Sequence, residues 1–427
     1  MIMKWLGFLL ASGVSALAAG ADTPTFNADI VPILQKHCQV CHRPGEIGPM
    51  PLETFDQTRR FAAVIRQDVA DRKMPPWFAD PRFGHFANNP SLTTAEISTI
   101  EAWADHGTPE GSSPAPPEPA WPSGWTSIQP DIVFNMPRPF PIPAKSVIQY
   151  QYIIFPTHFS VDRWVSAVEV RPSDRAVVHH AVLYVREPGS KWLQGVPPET
   201  MWAPPASDMH AVMEAHQTKS DILAVYTPGA AAMVCPPGMA KKVPAGSDLV
   251  LQLHYTSRDV STADQTKIGL VLKSDDPQYR ILTLQMGADN FVIPPGDPDY
   301  QVRVSGTMPR DAILLSMMPH MHLRGSRFEF LRVAPGGHIE TLLDVKPFVF
   351  NWQLSYQPSP PIQLRRGDRL VWIGHFNNSS SNPLNPDPTA EVRWGEQSWA
   401  EMMIGFFDVA VEPDVDKQSF FAARRAR

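Results

Sequence analysis

Two kinds of side chain in this sequence could do redox chemistry, and the first is a cysteine pair followed by a histidine. Cys38-Gln39-Val40-Cys41-His42 is a C-x-x-C-H stretch, the spacing at which c-type haem is attached. Two thiols about one turn apart can each add to a vinyl group while the adjacent imidazole faces the iron. A thioredoxin-like pair would need a surrounding βαβ pattern, and half of a zinc site would need a second cysteine pair; the sequence has neither. Low-spin iron takes a sixth ligand, and Met74 in Arg72-Lys73-Met74-Pro75-Pro76-Trp77 is the candidate. The prolines after it stiffen the loop, and Met/His ligation raises the potential. Met50 competes, but it follows His42 so closely that the chain would have to turn back sharply. The plainer alternative is that Met74 packs against the ring without ligating it. Iron with both axial positions filled carries electrons and does not handle oxygen.

The second kind is imidazole. Among 14 histidines, five keep suggestive company. In Pro319-His320-Met321-His322 a strand sends His320 and His322 to one side and Met321 to the other. His179 and His180 are adjacent, so ligating one metal together requires a strand end or a bulge; Arg175-Ala176 leaves room for such a turn. His254, in Leu251-Gln252-Leu253-His254-Tyr255, points out of the buried set of its strand. Imidazole with thioether, without thiolate or carboxylate, favours copper cycling to Cu(I), whereas zinc would recruit Cys, Asp or Glu. Taken singly, each histidine reads as a satisfied core or turn residue, and a lone His-x-His is weak evidence. His210, His216 and His375 read as structural or surface, with His210 a reserve ligand.

These groups need elements to hold them. The 427 residues leave room for about three domains of roughly 150 residues. Apolar residues at 43% suffice for several cores, and 46 prolines argue against a mainly helical protein. With a net charge of −6 and dispersed basic residues, there is no footprint for nucleic acid. Lys4, the apolar run Trp5 to Ala19 and the small residues after it have the layout of a secretory signal peptide over residues 1–21, cleaved after Ala18 or Ala21. The run is shorter than the ~20 residues of a spanning helix, so the expectation is an exported protein, periplasmic or secreted, without a membrane span in its mature form; uncleaved anchoring is the alternative. With Cys38 and Cys41 committed elsewhere, Cys235 lacks a partner and disulfides do not hold the fold.

Residues 22–107 read as a small all-α domain. One helix begins between Asn27 and Asp29, with Pro32 in its first turn and Ile30, Ile33 and Leu34 on one face. Another begins at Thr93, with Thr93 and Glu96 as capping box, Ile97, Ile100, Trp103 and Ala104 as stripe, and Gly107 beyond its end. Residues 108–130 carry seven prolines and read as a semi-extended linker. From Ile132 onward, short β-branched and aromatic runs alternate with Pro, Gly, Asn and Asp clusters. That density predicts two all-β antiparallel sandwich (jelly-roll-like) domains, 131–290 and 291–412, divided near Ile293-Pro294-Pro295-Gly296, with a tail at 413–427.

Two helices around a C-x-x-C-H resemble a class I cytochrome c, over about residues 26 to 110. Residues from about 130 to 412 resemble the copper type II, ascorbate-dependent monooxygenases, the family of peptidylglycine α-hydroxylating and dopamine β-monooxygenases. The resemblance rests on His179-His180, on Gln252-Leu253-His254-Tyr255, on His320-Met321-His322 with Leu323-Arg324-Gly325, and on a methionine near the end. Asn351-Trp352-Gln353, Arg366-Gly367-Asp368 and Asn377-Asn378 agree with it. It implies two copper ions: one on His179, His180 and His254, the other, catalytic, on His320, His322 and Met402. Met402 is preferred over Met403 because an acidic residue precedes the family's ligand. The implied reaction is hydroxylation of a C–H bond with O2, and covalent haem c held by Cys38, Cys41, His42 and Met74 would feed electrons to the first copper. The electron donor, a small reductant or a cytochrome, is unspecified. The departures concern substrate. Positions that anchor a peptide carboxylate in the family hold Met318, Ile404 and Phe406 here, which implies a more apolar substrate. The family's animal members also rely on disulfides that this chain cannot form. The rival reading is a non-catalytic haem–copper electron carrier or redox sensor.

Overall fold

The computed structural model describes residues 23–121, 124–205, 220–227, 232–395 and 397–417; residues 1–21, where a signal peptide is expected, and His210 and His216 lie outside them. The chain is mostly β-sheet with few helices. None of the described helices is long and apolar enough to cross a membrane.

The N-terminal unit begins with a π-helical turn, Phe26–Ile30, one residue before the expected start. Asp29 Oδ2 accepts from Thr25 N–H at 2.7 Å and closes this wide first turn. Helix α1, Val31–His37, follows with Pro32 in its first turn, where a missing N–H costs nothing. Helices α2 (Phe55–Arg59), α3 (Ala62–Ala70) and α4 (Thr94–Asp105) complete the unit. The Thr93/Glu96 capping box is formed in both directions, and Ile97, Ile100 and Trp103 are buried. These join Phe26, Leu34, Ile65, Val69 and Leu92 in a separate small core. A full all-α domain is not evident: the α-helices are only 5 to 12 residues long.

Glu96 also ties α4 to the end of α1, meeting Lys36 Nζ at 3.2 Å and His37 Nε2 at 3.1 Å. Burial opposes its charge, but the Thr93 N–H and hydroxyl, Lys36 and His37 outweigh it and hold the carboxyl down to about 2. A depressed carboxyl contributes stability above its ordinary pKa and loses it as pH falls towards the folded value. Stability of the helical unit should therefore decline from about pH 4.5 towards 2. Glu96→Gln should flatten that acid limb in a pH series of hydrogen exchange over 93–105.

Two β-sandwiches follow, each with its own core. In the first, a four-stranded sheet runs in the order Gln151–Pro156, Asp248–Tyr255, Val178–Arg186, Ser220–Tyr226. In the second, the order is Tyr300–Thr307, Arg369–Phe376, Gly325–Val333, Ile339–Val345. Both pack on one continuous nine-stranded sheet. Its halves are joined by a short parallel pairing of Tyr279–Ala288 with Met239–Val243, Tyr279 opposite Met239 and Arg280 opposite Ala240. Strand Tyr279–Ala288 precedes the Pro294-Pro295 turn, yet it pairs along its length with Met403–Val411 and sends Leu282 and Leu284 into the second core.

The strand pleat decides what faces the space between the sandwiches. Along Asp248–Tyr255, Leu249, Leu251 and Leu253 enter the first core, so Val250, Gln252 and His254 face outward. Along Ala312–Met321, Met317 and Met321 enter the second core, so Ser316, Met318 and His320 face outward. Met321 does turn away from its flanking histidines, as alternation requires.

Candidate metal and haem sites

His180 sits directly opposite His254 across the strand pair, on the same outward face. His179 should face the other way, but the register shifts between Val178 and His180. That bulge turns the ring to the same side, the device the adjacent pair demanded. The three rings lie 5.0–5.4 Å apart between centroids. One ring nitrogen from each lies within 4.8 Å of the others. His179 Nδ1 and His180 Nδ1 are 3.1 Å apart, and His254 Nδ1 is buried with no hydrogen-bond partner among the described residues. Tyr150 covers the group, 4.7 Å from the His254 ring.

His320 and His322 form the second pair, with centroids 5.4 Å apart. Gln353 Nε2 faces two carbonyls, of Phe350 at 3.2 Å and Met321 at 3.4 Å. Its Oε1 therefore meets His320 Nδ1, at 2.5 Å. An amide oxygen only accepts, so Nδ1 carries the proton and Nε2 keeps its lone pair. His322 Nδ1 is buried without a partner among the described residues. Met402 lines the same cavity as both pairs, whereas Met403 is fully buried in the second core.

All five imidazoles are held neutral by burial, which lowers each below the ordinary histidine value: His254 to about 4 and His322 to about 3, with neighbouring imidazoles adding to the effect. A neutral imidazole keeps a lone pair on one ring nitrogen, which is what a transition metal requires. Three imidazoles on one side, and two with a thioether on the other, are donor sets that copper would accept.

Loop 397–402 is fixed from beneath. Buried Glu401 accepts from the backbone N–H of Arg324 at 2.6 Å and His322 at 2.9 Å. Burial pushes its carboxyl up to about 8, against the pull of those donors. Arg324, 2% exposed, donates to Asn378 Oδ1 at 2.7 Å and the Trp399 carbonyl at 2.9 Å.

His179, His180, His320, His322 and Met402 line one cavity of about 120 Å³ between the sandwiches, and His254 adjoins the first two. Phe350 stands between them, 6.1 Å from His179 and 6.3 Å from His322 by ring centroids. Met318, Ile404 and Phe406 line this cavity, and no Lys, Arg, Asp or Glu lines it among the described residues. Sequence reasoning missed Phe350 and Tyr150, which carry no motif. Gln353 was part of a quoted fragment, but without a role.

The C-x-x-C-H loop closes α1. His42 N–H and Cys41 N–H both return to the Cys38 carbonyl, at 2.9 and 3.1 Å. His42 Nδ1 meets the Met50 carbonyl at 3.1 Å; a carbonyl only accepts, so Nε2 is the nitrogen left to ligate. Gly48 makes this approach feasible, since a Cβ there would lie 2.7 Å from the Cys41 carbonyl and 2.8 Å from His42 Nδ1. Met50 thus serves through its backbone, while its side chain packs on the helical core. Cys38 and Cys41 are free thiols, pushed by burial up to about 12 and about 11. Cys41 opens on a second cavity of about 580 Å³, and Met74 on a third of about 490 Å³; Pro75 and Trp77 line both. The second cavity also shares Met318, Trp352, Gln353 and Phe406 with the histidine cavity. Of the remaining histidines, His375 is buried between Asp299 at 2.8 Å and Glu329 at 2.9 Å, a structural clamp.

No family model matches this sequence, and no curated protein matches it. Among solved structures, the VP2 subviral particle of infectious bursal disease virus is 8% identical over 67% of this chain and 73% of that one, with a TM-score of 0.19. The Gt strain of the same virus gives 8% identity over 69% and 74%, also at 0.19. Likeness at this level informs neither fold nor function.

Proposed function

We propose that this chain is an exported copper-dependent monooxygenase that hydroxylates a C–H bond of an apolar organic substrate with O2, fed by a fused c-type haem. One observation carries the reading: His179 and His180, backed by His254, and the pair His320 and His322 with Met402 line a single cavity that has no charged side chain among the described residues, with the Phe350 ring beside both. Copper on those residues would supply the one-electron chemistry by which RH, O2, two electrons and two protons become ROH and H2O. His179, His180 and His254 would hold one ion and His320, His322 and Met402 the other. Tyr150 and Phe350 cover the imidazoles and exclude water. Gln353 fixes the His320 tautomer so that Nε2 is the nitrogen left to hold an ion. Met318, Ile404 and Phe406 offer no charge to a carboxylate, which would be costly to bury unpaired, and so select an apolar substrate. For haem, the free thiols of Cys38 and Cys41 and the Nδ1-anchored His42 would hold the group, and Met74, which lines a different cavity from Cys41, would be its sixth ligand.

Protein made in a periplasm should contain two coppers and one covalent haem per chain by elemental and pyridine-haemochrome analysis. Label from ¹⁸O2 should enter the product alcohol. Copper and haem without oxygen uptake under any reductant would favour the electron-carrier reading instead.

A further inference from the structure

The N-terminal unit is joined to the β-structure by more than its linker. On the second sandwich, the Asp80 and Ala87 N–H groups donate to the Asp344 and Gln357 carbonyls, each at 2.8 Å. Trp77 packs on Tyr356 with centroids 4.7 Å apart. On the first sandwich the contact is ionic. Arg175 Nη1 reaches both oxygens of Glu46 at 3.1 Å, and Arg43 Nη2 reaches the same carboxylate at 2.9 Å. Arg43 Nη1 returns to the carbonyls of Gln39 and Val40, inside the C-x-x-C-H stretch, at 2.8 and 2.9 Å. The side chains of Arg43, Glu46 and Arg175 are only 10–12% exposed, so this is no solvated surface pair of little worth. Arg175 stands in the turn just ahead of His179. Tyr226 adds a buried ring on the neighbouring strand, opposite Ala181, the residue after His180. Its hydroxyl has no partner among the described residues, and Arg175, Glu46 and Cys41 are among its charged or polar neighbours.

We propose that Arg43, Glu46 and Arg175 form a fixed junction between the C-x-x-C-H loop and the strand carrying His179 and His180, with the Tyr226 ring beside it. The N-terminal unit is then a docked electron input and not a swinging one. These are positioning residues. The consequence for electron flow rests on the haem–copper reading; the junction itself does not. If that reading holds, the junction sets the gap crossed by one electron, iron(II) becoming iron(III) as copper(II) becomes copper(I), with no atom transferred.

The test uses the full chain with Glu46→Gln, Arg175→Met and the double substitution. Hydrogen exchange, read by mass spectrometry, should rise at least about tenfold over both 39–52 and 172–181 in either single variant. The double variant should be little worse than the singles, as coupled partners require. Tyr226→Phe keeps the ring and removes the unpartnered hydroxyl, so exchange should stay as in the parent chain. In metal-loaded protein, Arg175→Met should keep its haem and copper content while oxidation of photoreduced haem slows at least about tenfold. Unchanged exchange, or two single effects that simply multiply, would overturn the junction. Coupled exchange in a chain that binds neither metal would leave the junction standing and sink the proposed function.

Discussion

A chain carrying His320→Ala together with His322→Ala should keep one copper and lose the other. His322 is buried and His320 partly buried, desolvation holds both below the ordinary histidine value, and His322 Nδ1 has no partner among the described residues. Removing them takes away two of three donors, and from the scaffold the His322 contacts with the backbone of Gln397 and Ala400. His320 gives up a single bond to Gln353, and the core beneath is built from Met317 and Met321, which remain. Folding, haem content and the copper on His179, His180 and His254 should persist. Product formation should fall at least about a thousandfold, equivalent to about 4 kcal/mol of lost barrier reduction. Elemental analysis with product chromatography reads both outcomes. Full copper retention would mean that these residues hold no metal.

Arg324→Met should damage stability and the second site together. The guanidinium is 2% exposed and binds Asn378, which in turn holds the carbonyls of Pro294 and Ala390 at 2.9 Å each. It also holds the Trp399 carbonyl, three residues before Met402. Methionine fills similar volume but leaves these acceptors unpaired and buried Glu401 without its nearby cation. Leaving buried acceptors unpaired costs about 1–3 kcal/mol for each, which denaturant titration should show. Released from its brace, the Met402 loop should bind copper 10–100-fold more weakly, the usual scale for a lost supporting contact. A variant with parental stability and affinity would show that the loop is held by Glu401 alone.

Much of the local structure was legible because it depends on near neighbours. The Thr93/Glu96 box, the i, i+2 pairing of His320 with His322 and the inward turn of Met321 follow from periodicity and capping chemistry. The bulge at His179 was legible only as a requirement. Two adjacent histidines cannot share a face without it, but nothing in Val178-His179-His180 says that it forms. Long-range pairing was not legible. The two-residue parallel contact between Tyr279–Ala288 and Met239–Val243 merges two sandwiches into one sheet, and a strand's pattern names its buried face but not its partner. The same limit hid Phe350, an ordinary loop aromatic until the fold sets it between His179 and His322. The linker reading suggested a tethered N-terminal unit, yet Arg175 and Glu46, 129 positions apart, bind it to the first sandwich.

Anomalous diffraction at the copper edge, from crystals of copper-loaded protein, tests the central claim most directly. The account predicts two peaks in one cavity, the first bonded to His179, His180 and His254 and the second to His320, His322 and Met402, with the Phe350 ring between them. A single peak, or peaks bonded to other residues, would contradict it.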